Sequence, residues 1–431
     1  MESLMQYVWQ HRLWPQRYMH TVDGRRVVVI DPGMLNRDSG PDFFNAKVEI
    51  DNRLWVGNIE IHVKASDWYR HHHDTDKAYD SVILHVVDRD DTRVTRHNGE
   101  EIPQMVMECE PGFYNHYRGL VERADRDLPC VAQIREYEPV KLTGWITSLA
   151  YERLYEKSDR ILALAEKFTN DWDSAAYVTV ARCLGFSTNS DPFERLALST
   201  PLNFLSKHAD SLFSLEAILF GQSGLLDDAP EADSYVESLK REYAFMAHKF
   251  GLKKPESLGW KMARMRPPNF PHRRIAALAA IIHGGYRLLS TLINVESVKE
   301  ACEVFLPRLS PYWQNHYTFN APSPPAPAAL SLTSCRSMAI NAVVPVIHAY
   351  ATAHDMPEMC QKAIDLLLEL PGERNSVIEP FERAGVKIKD AFTSQALLQL
   401  RRRYCMERKC LYCRIGHGML SAKVRRAAVD V

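Results

Sequence analysis

The side chains best suited to chemistry gather between Gly40 and Val87, in the stretch GPDFFNAKVEIDNRLWVGNIEIHVKASDWYRHHHDTDKAYDSVILHVV. Asp42 and Glu60 offer hard oxygen ligands, and two such carboxylates meeting at a sheet end make a pocket suited to Mg²⁺ or Mn²⁺. His62 and Lys64 follow Glu60 at alternate positions. On a strand these three share one face, while Ile61 and Val63 point into the opposite layer. The chemistry of that set is metal-assisted phosphodiester hydrolysis: the acids hold the ion, and a nitrogen base or cation orients water or offsets developing charge. The competing account is an ordinary hairpin whose polar face meets solvent.

Three further groups carry reactive or ligating side chains. His71-His72-His73-Asp74, with Asp67, Tyr79 and His85 near, could bind metal or steady a phosphate through His71 or His73, and equally could be a solvated loop. His85 lies inside an apolar strand and reads as a buried residue hydrogen-bonded to a neighbour. Cys405, Cys410, Cys413 and His417 follow the order C-x4-C-x2-C-x3-H, four ligands for tetrahedral zinc. An iron–sulfur cluster there needs a fourth cysteine, with Cys335, Cys360 or Cys302 to hand, and the plain alternative is small apolar packing at a helix end. Arg266, Arg273 and Arg274, interleaved with Phe270 and His272, either lock domains together or contact the phosphates of a nucleic acid. Arg401–Arg403 and the run 423–426 add basic surface.

Pro41-Asp42, a hairpin and then Glu60-Ile61-His62 together resemble the PD-(D/E)XK signature of the restriction-endonuclease-like nuclease superfamily. The resemblance implies metal ligation by Asp42 and Glu60 with the Ile61 carbonyl, and Glu2 stands where some of these nucleases carry an extra acid. His62 occupies the place of the motif's lysine; Lys64, two residues on and on the same face, is the nearest lysine. The implied activity is divalent-metal-dependent cleavage of nucleic acid, the alternative a nucleic-acid-binding or scaffold protein that kept the fold without catalysis. The chain is also similar to an uncharacterised bacterial family, through GPDFFNA, WVGNIEIHVKASDW, HHHDTD, YDSVILHVV, RPPNFPHRRIA and YCMERKCLYCRIG.

The elements that must hold these residues follow from periodicity and breakers. Apolar spacing predicts a helix over 2–14, and β-branched runs predict strands over 25–30, 44–50, 54–64 and 82–87, the last apolar almost throughout and hence central. Asp51-Asn52-Arg53 is a hairpin turn, and Asn98-Gly99 marks another hairpin that ends near Met107. From about residue 135 the pattern turns helical, with spans over 140–168, 173–184, 192–198, 215–220, 232–250, 271–282, 295–305, 338–354, 357–370, 375–384 and 394–405. The Pro/Ala/Ser stretch 319–333 reads as a stiff linker or surface loop. The expected architecture is a restriction-endonuclease-like α/β domain over 1–130, an all-α domain over 135–400 and a cysteine-bearing tail over 401–431 tied to the helical domain.

Composition fits this picture. The 431 residues are 46% hydrophobic and 25% charged with a formal net charge of -1, so any nucleic-acid contact needs a local basic patch rather than a global field. Nine cysteines without a secretion signal suggest reduced thiols and a cytoplasmic setting, and no apolar run approaches bilayer length. The sequence has no G-x-x-x-x-G-K-S/T, G-x-S-x-G or H-E-x-x-H, and no G-x-G-x-x-G after a strand. ATP-driven work, a dinucleotide cofactor and serine-hydrolase chemistry are therefore disfavoured.

Overall fold

The computed structural model describes residues 1–418 apart from 15–18, 37–38, 109–114, 116, 120–127, 129, 228, 230–232, 320 and 327–329. The basic run 423–426 lies outside the described residues. An N-terminal mixed α/β region is followed by a largely helical one, as the periodicity predicts. Two compact units result: Met1–Trp145 with Glu379–Val386 and Leu400–Val431, and Ile146–Ile378 with Lys387–Gln399. The tail expected to join the helical part thus belongs to the first unit.

Helix α1 (Glu2–Gln10) opens the first unit and buries Leu4, Met5, Tyr7, Val8 and Trp9 along one stripe. It stops short of the expected residue 14, and the backbone turns left-handed at Arg12, with φ 54°. Seven strands follow: β1 (Met19–His20), β2 (Arg26–Asp31), β3 (Met34–Leu35), β4 (Phe43–Ile50), β5 (Arg53–Lys64), β6 (Val82–Arg89) and β7 (Gln104–Val106). They form one sheet in the order β1-β2-β4-β5-β6-β7, with β3 beside β4. Neighbours are antiparallel as far as β4–β5, and parallel at β5–β6 and β6–β7.

The β4–β5 hairpin closes Ile50 against Arg53 through Asp51 and Asn52, whose φ values of 47° and 64° suit a primed two-residue turn. Asp51 Oδ1 accepts the Arg26 amide at 3.0 Å and fixes that turn to β2. Ile59 and Ile61 enter the main core with α1, Val86 and Met105, which leaves Glu60 and His62 on the other side of β5. The connection from β5 to β6 contains helix α2 (Asp67–Arg70) and a 3-10 turn, Lys77–Tyr79. Buried Trp68 pins it: the indole N–H donates to the Thr95 carbonyl at 3.0 Å, and the ring packs in a cluster with Tyr79, Val82, Val94 and Ile102. Asn98-Gly99 turns the chain only locally, bridging Thr95 to Glu101. The chain then enters β7, which lies parallel to β6 rather than folding back on it.

The second unit is helical, with long helices at Trp172–Leu184, Ser190–Ser199, Leu212–Ser223, Ser234–Phe250 and Pro271–Gly284 among others. Asp171, Ser211 and Asp233 cap three of them by accepting amide hydrogens of the first turn. The helix expected over 338–354 starts earlier, as Leu332–Met338, and passes through a π-turn, Ala339–Val343, before Val344–Ala353. Pro345 has no N–H to give, and the Asn341 carbonyl accepts the Cys183 thiol at 3.2 Å. Among the described residues no helix is long and apolar enough to cross a membrane.

Candidate metal centre

Three adjacent strands set a row of polar side chains on one face of the sheet. Parallel pairing places Glu60 opposite His85, and His85 opposite Gln104. His62 Nδ1 lies 2.9 Å from His85 Nε2, and His85 Nδ1 lies 3.2 Å from Gln104 Oε1. Gln104 in turn donates through Nε2 to Asp90 and, at 3.0 Å, to the Thr92 carbonyl. That chain holds the His62 ring edge-on and leaves its Nε2 facing outward from β5, as a supporting hydrogen bond does for a ligating imidazole.

The loop behind α2 brings two more imidazoles to that nitrogen. His71 Nδ1 sits 3.2 Å from His62 Nε2, and the nitrogens of His62, His71 and His73 all lie within 4.8 Å of one another. Glu60 Oε1 meets His62 Nε2 at 3.4 Å and His73 Nε2 at 3.3 Å. Ligand atoms of a tetrahedral ion with bonds of about 2.0–2.2 Å are spaced by roughly 3.3–3.5 Å. These contacts have that spacing. His73 is steadied by stacking on Tyr79, with ring centroids 3.7 Å apart. His62 and His73 are buried and His71 is exposed, so the group has one side open to solvent.

Asp42 adjoins through Glu60. Glu60 Oε2 accepts the Asp42 amide at 3.0 Å, and Asp42 Oδ2 accepts the Ile61 amide at 3.0 Å, so each acid braces the other's strand. Gln6 of α1 donates to Asp42 Oδ1 at 2.8 Å, and Glu2, one helical turn earlier, adds its charge to the same pocket. Burial and then the Glu60 charge push the Asp42 carboxyl up to about 7. Burial, with Glu2 adding to it, pushes Glu60 up to about 8. Burial first, then the three neighbouring histidines, drives His62 far below its usual range and keeps it neutral. Acids that resist losing protons and imidazoles that resist gaining them, packed lone pair to lone pair, define a pocket that favours a cation.

The residues singled out in the sequence divide here. Asp42, Glu60, His62, His71, His73 and Glu2 come together. Lys64 does not: it is exposed on β5, and its amide, not its side chain, is bound, to Asp67 Oδ2 at 3.2 Å. The donor set also departs from the all-oxygen pocket expected for Mg²⁺, because three imidazoles suit zinc, iron or manganese better. Gln6, Gln104 and Arg70 carry no local motif, and only the fold reveals them. Arg70 stands at the open side, its Nη2 3.0 Å from Asp67 and 3.4 Å from His71 Nε2.

The remaining expectations meet different surroundings. Arg273 and Arg274 are buried within the second unit, where Arg273 donates to the Ala326 carbonyl at 3.0 Å and Arg274 to Asn269 at 2.6 Å while stacking on Phe186. A buried guanidinium group does not reach a polymer, and of these three arginines Arg266 alone is exposed. His417 turns its Nδ1 to the Tyr7 hydroxyl. Cys405, Cys410 and Cys413 are buried free thiols. Among the described residues the histidine group is the one whose ligand atoms all fall within 4.8 Å, so these cysteines and His417 do not form a closed zinc tetrahedron.

No curated protein and no solved structure matches the chain. A family model described as a protein of unknown function matches residues 2–376, most of the length and all of the histidine–carboxylate group. The chain belongs to that family, DUF2851.

Proposed function

We propose that the first unit is a metal-dependent hydrolase of phosphodiesters in nucleic acid, using a transition ion such as Zn²⁺ or Mn²⁺. The reading rests on one observation: Glu60 Oε1 within 3.4 Å of two imidazoles whose nitrogens share a 4.8 Å cluster with a third, exposed one. His62, His71, His73 and Glu60 would hold the ion, which when bound supplies Lewis-acid polarisation of the phosphoryl group and acidifies water. His85 fixes the ring of His62, and Gln104 fixes His85. Asp42, with both oxygens already tethered, is a rigid carboxylate beside the ion, able to take up the proton that attacking water gives away. Arg70, 69% exposed at the open side, is the cation available to a phosphate oxygen.

The test uses the full chain, stripped of metal and reloaded with Zn²⁺, Mn²⁺ or Mg²⁺, on an activated phosphodiester and on single- and double-stranded DNA and RNA. Expected are cleavage with Zn²⁺ or Mn²⁺, and a loss of two or more orders of magnitude in Glu60→Gln and His73→Ala, both still folded. Inertness on every substrate with every ion ends the hydrolase reading. A second reading, a nucleic-acid-binding or scaffold protein without catalysis, draws on the reciprocal bracing of Asp42 and Glu60 by backbone amides. A mobility shift that persists in chelator, with no cleavage under any condition, would select it.

A further inference from the structure

A second set of soft ligands lies in the first unit, independent of the histidine group. Cys130 sits at the start of helix α3 (Val131–Glu136), and the Ile134 amide donates to its carbonyl at 2.9 Å. The C-terminal segment returns here. Cys405 ends a π-turn (Leu400–Cys405), and the two turns after it present Cys410 and Cys413. Cys130 packs against the core cluster that contains Cys410 and Leu411. The four thiols share one electrostatic neighbourhood: Cys405 feels Cys130, Cys413 and Cys410, and Cys130 feels Cys413 and Cys410. Cys405, Cys410 and Cys413 are between 7% and 9% exposed, and all four are free of disulfides.

The backbone around them is shaped for a sulfur-bound centre. The Ile415 and Gly416 amides both point hydrogens at the Cys413 sulfur, the kind of support that ligating thiolates receive. Gly416 comes so close to the Cys410 carbonyl oxygen that a Cβ there would collide with it, which holds the Cys410–Gly416 turn tight. Arg401 adds positive charge felt at both Cys130 and Cys405. Cys302, Cys335 and Cys360 belong to the second unit, so Cys130 is the fourth thiol that shares this neighbourhood.

Sulfurs around a single tetrahedral zinc, bonded at about 2.3 Å, lie roughly 3.8 Å apart. No three of these sulfurs fall within 4.8 Å of one another. A wider cage suits a polynuclear cluster. We propose that Cys130, Cys405, Cys410 and Cys413 ligate one iron–sulfur cluster of the 4Fe–4S class, which ties the end of the α/β region to the returning C-terminal segment.

The experiment takes the full chain, expressed with iron supplementation and purified without oxygen. Iron, zinc and acid-labile sulfide are measured beside the visible spectrum. Expected are equal amounts of iron and labile sulfide, a broad charge-transfer band, and a loss of at least about tenfold in cluster iron in Cys130→Ser and Cys413→Ser. Cys360→Ser keeps its full complement. Circular dichroism checks the variants, and a second measurement needs no variant. In the protein as purified all four cysteines resist alkylation, and after oxidative removal of the cluster they become reactive together. Stoichiometric zinc without labile sulfide, a metal-free protein, or full iron retention in folded Cys130→Ser each overturns the assignment. So does alkylation of Cys130 in the cluster-loaded protein.

Discussion

Asp42 and Glu60 are two carboxylates obliged to share one pocket with Glu2, and the cost of that crowding has a readable sign. Their folded-state pKa values, about 7 and about 8, lie above the ordinary 3.8 and 4.5. The native state therefore holds protons the unfolded chain has lost, and the associated stability is complete below about pH 4 and lost as pH rises through 7 to 8. His62 and His85 act oppositely: burial depresses both below 6.5, so their contribution grows as pH rises and is constant above 6.5. Between about pH 6.5 and 8.5 these histidines no longer contribute to the change, and the raised carboxyls titrate: Asp42 and Glu60 here, and Glu216, buried in the second unit and pushed up to about 7. Metal-stripped protein should lose several degrees of melting temperature across that window, Asp42→Asn should flatten the fall, and Zn²⁺ or Mn²⁺ should reverse it. A flat profile in the stripped wild type would remove the charge-crowded pocket. At this scale the two acids and the histidine run were legible, because strand alternation and a three-histidine string are local signals. What joined them was not. The partnership of His73 with Glu60 and of His85 with Gln104 depends on a loop fold and a strand register that leave no mark on neighbouring residues.

Parallel pairing is the element-scale feature least visible in the chain. An antiparallel neighbour announces itself by a short turn, as Asp51-Asn52 does, whereas β6 reaches β5 through a connection with no fixed length. The hairpin was therefore predictable to within a residue, while the parallel placement of β7 was not. Gly57 is the register pin between β5 and β6. A Cβ there would lie 2.7 Å from the Ser81 carbonyl oxygen and 2.5 Å from Ile83 Cγ2, and the next residue's amide, Asn58, donates to that same Ser81 oxygen at 2.9 Å. Gly57→Ala should push the strands apart and cost about 1–3 kcal/mol. Because Glu60 lies on the same strand three residues later, the substitution should also weaken Zn²⁺ binding measured by competition with a chromophoric chelator. Unchanged melting and unchanged affinity together would mean that this contact does not set the register.

At the scale of the whole molecule, the first unit is completed from the far end of the chain. The family match ends at residue 376, before Glu379–Val386 and Leu400–Val431, the two late segments that fold into that unit. The helical run after residue 135 was plain from periodicity, but nothing in the tail's composition states where it docks. Tertiary contacts do: Tyr137 donates its hydroxyl hydrogen to the Arg414 carbonyl at 2.9 Å across 277 positions, and Leu411, 4% exposed, joins Leu4, Met5 and Val8 of α1 in one core. Burial of that leucine helps fasten the tail to the core, so Leu411→Ala should cost about 2–4 kcal/mol by transfer and cavity together. The loss should be local in space and remote in sequence. Hydrogen exchange of the α1 amides should quicken, since the helix loses the group packed over it, while the amides of Leu212–Ser223 in the second unit keep their protection. Faster exchange in the second unit with α1 unaffected would show that the tail's docking does not support the α1 core.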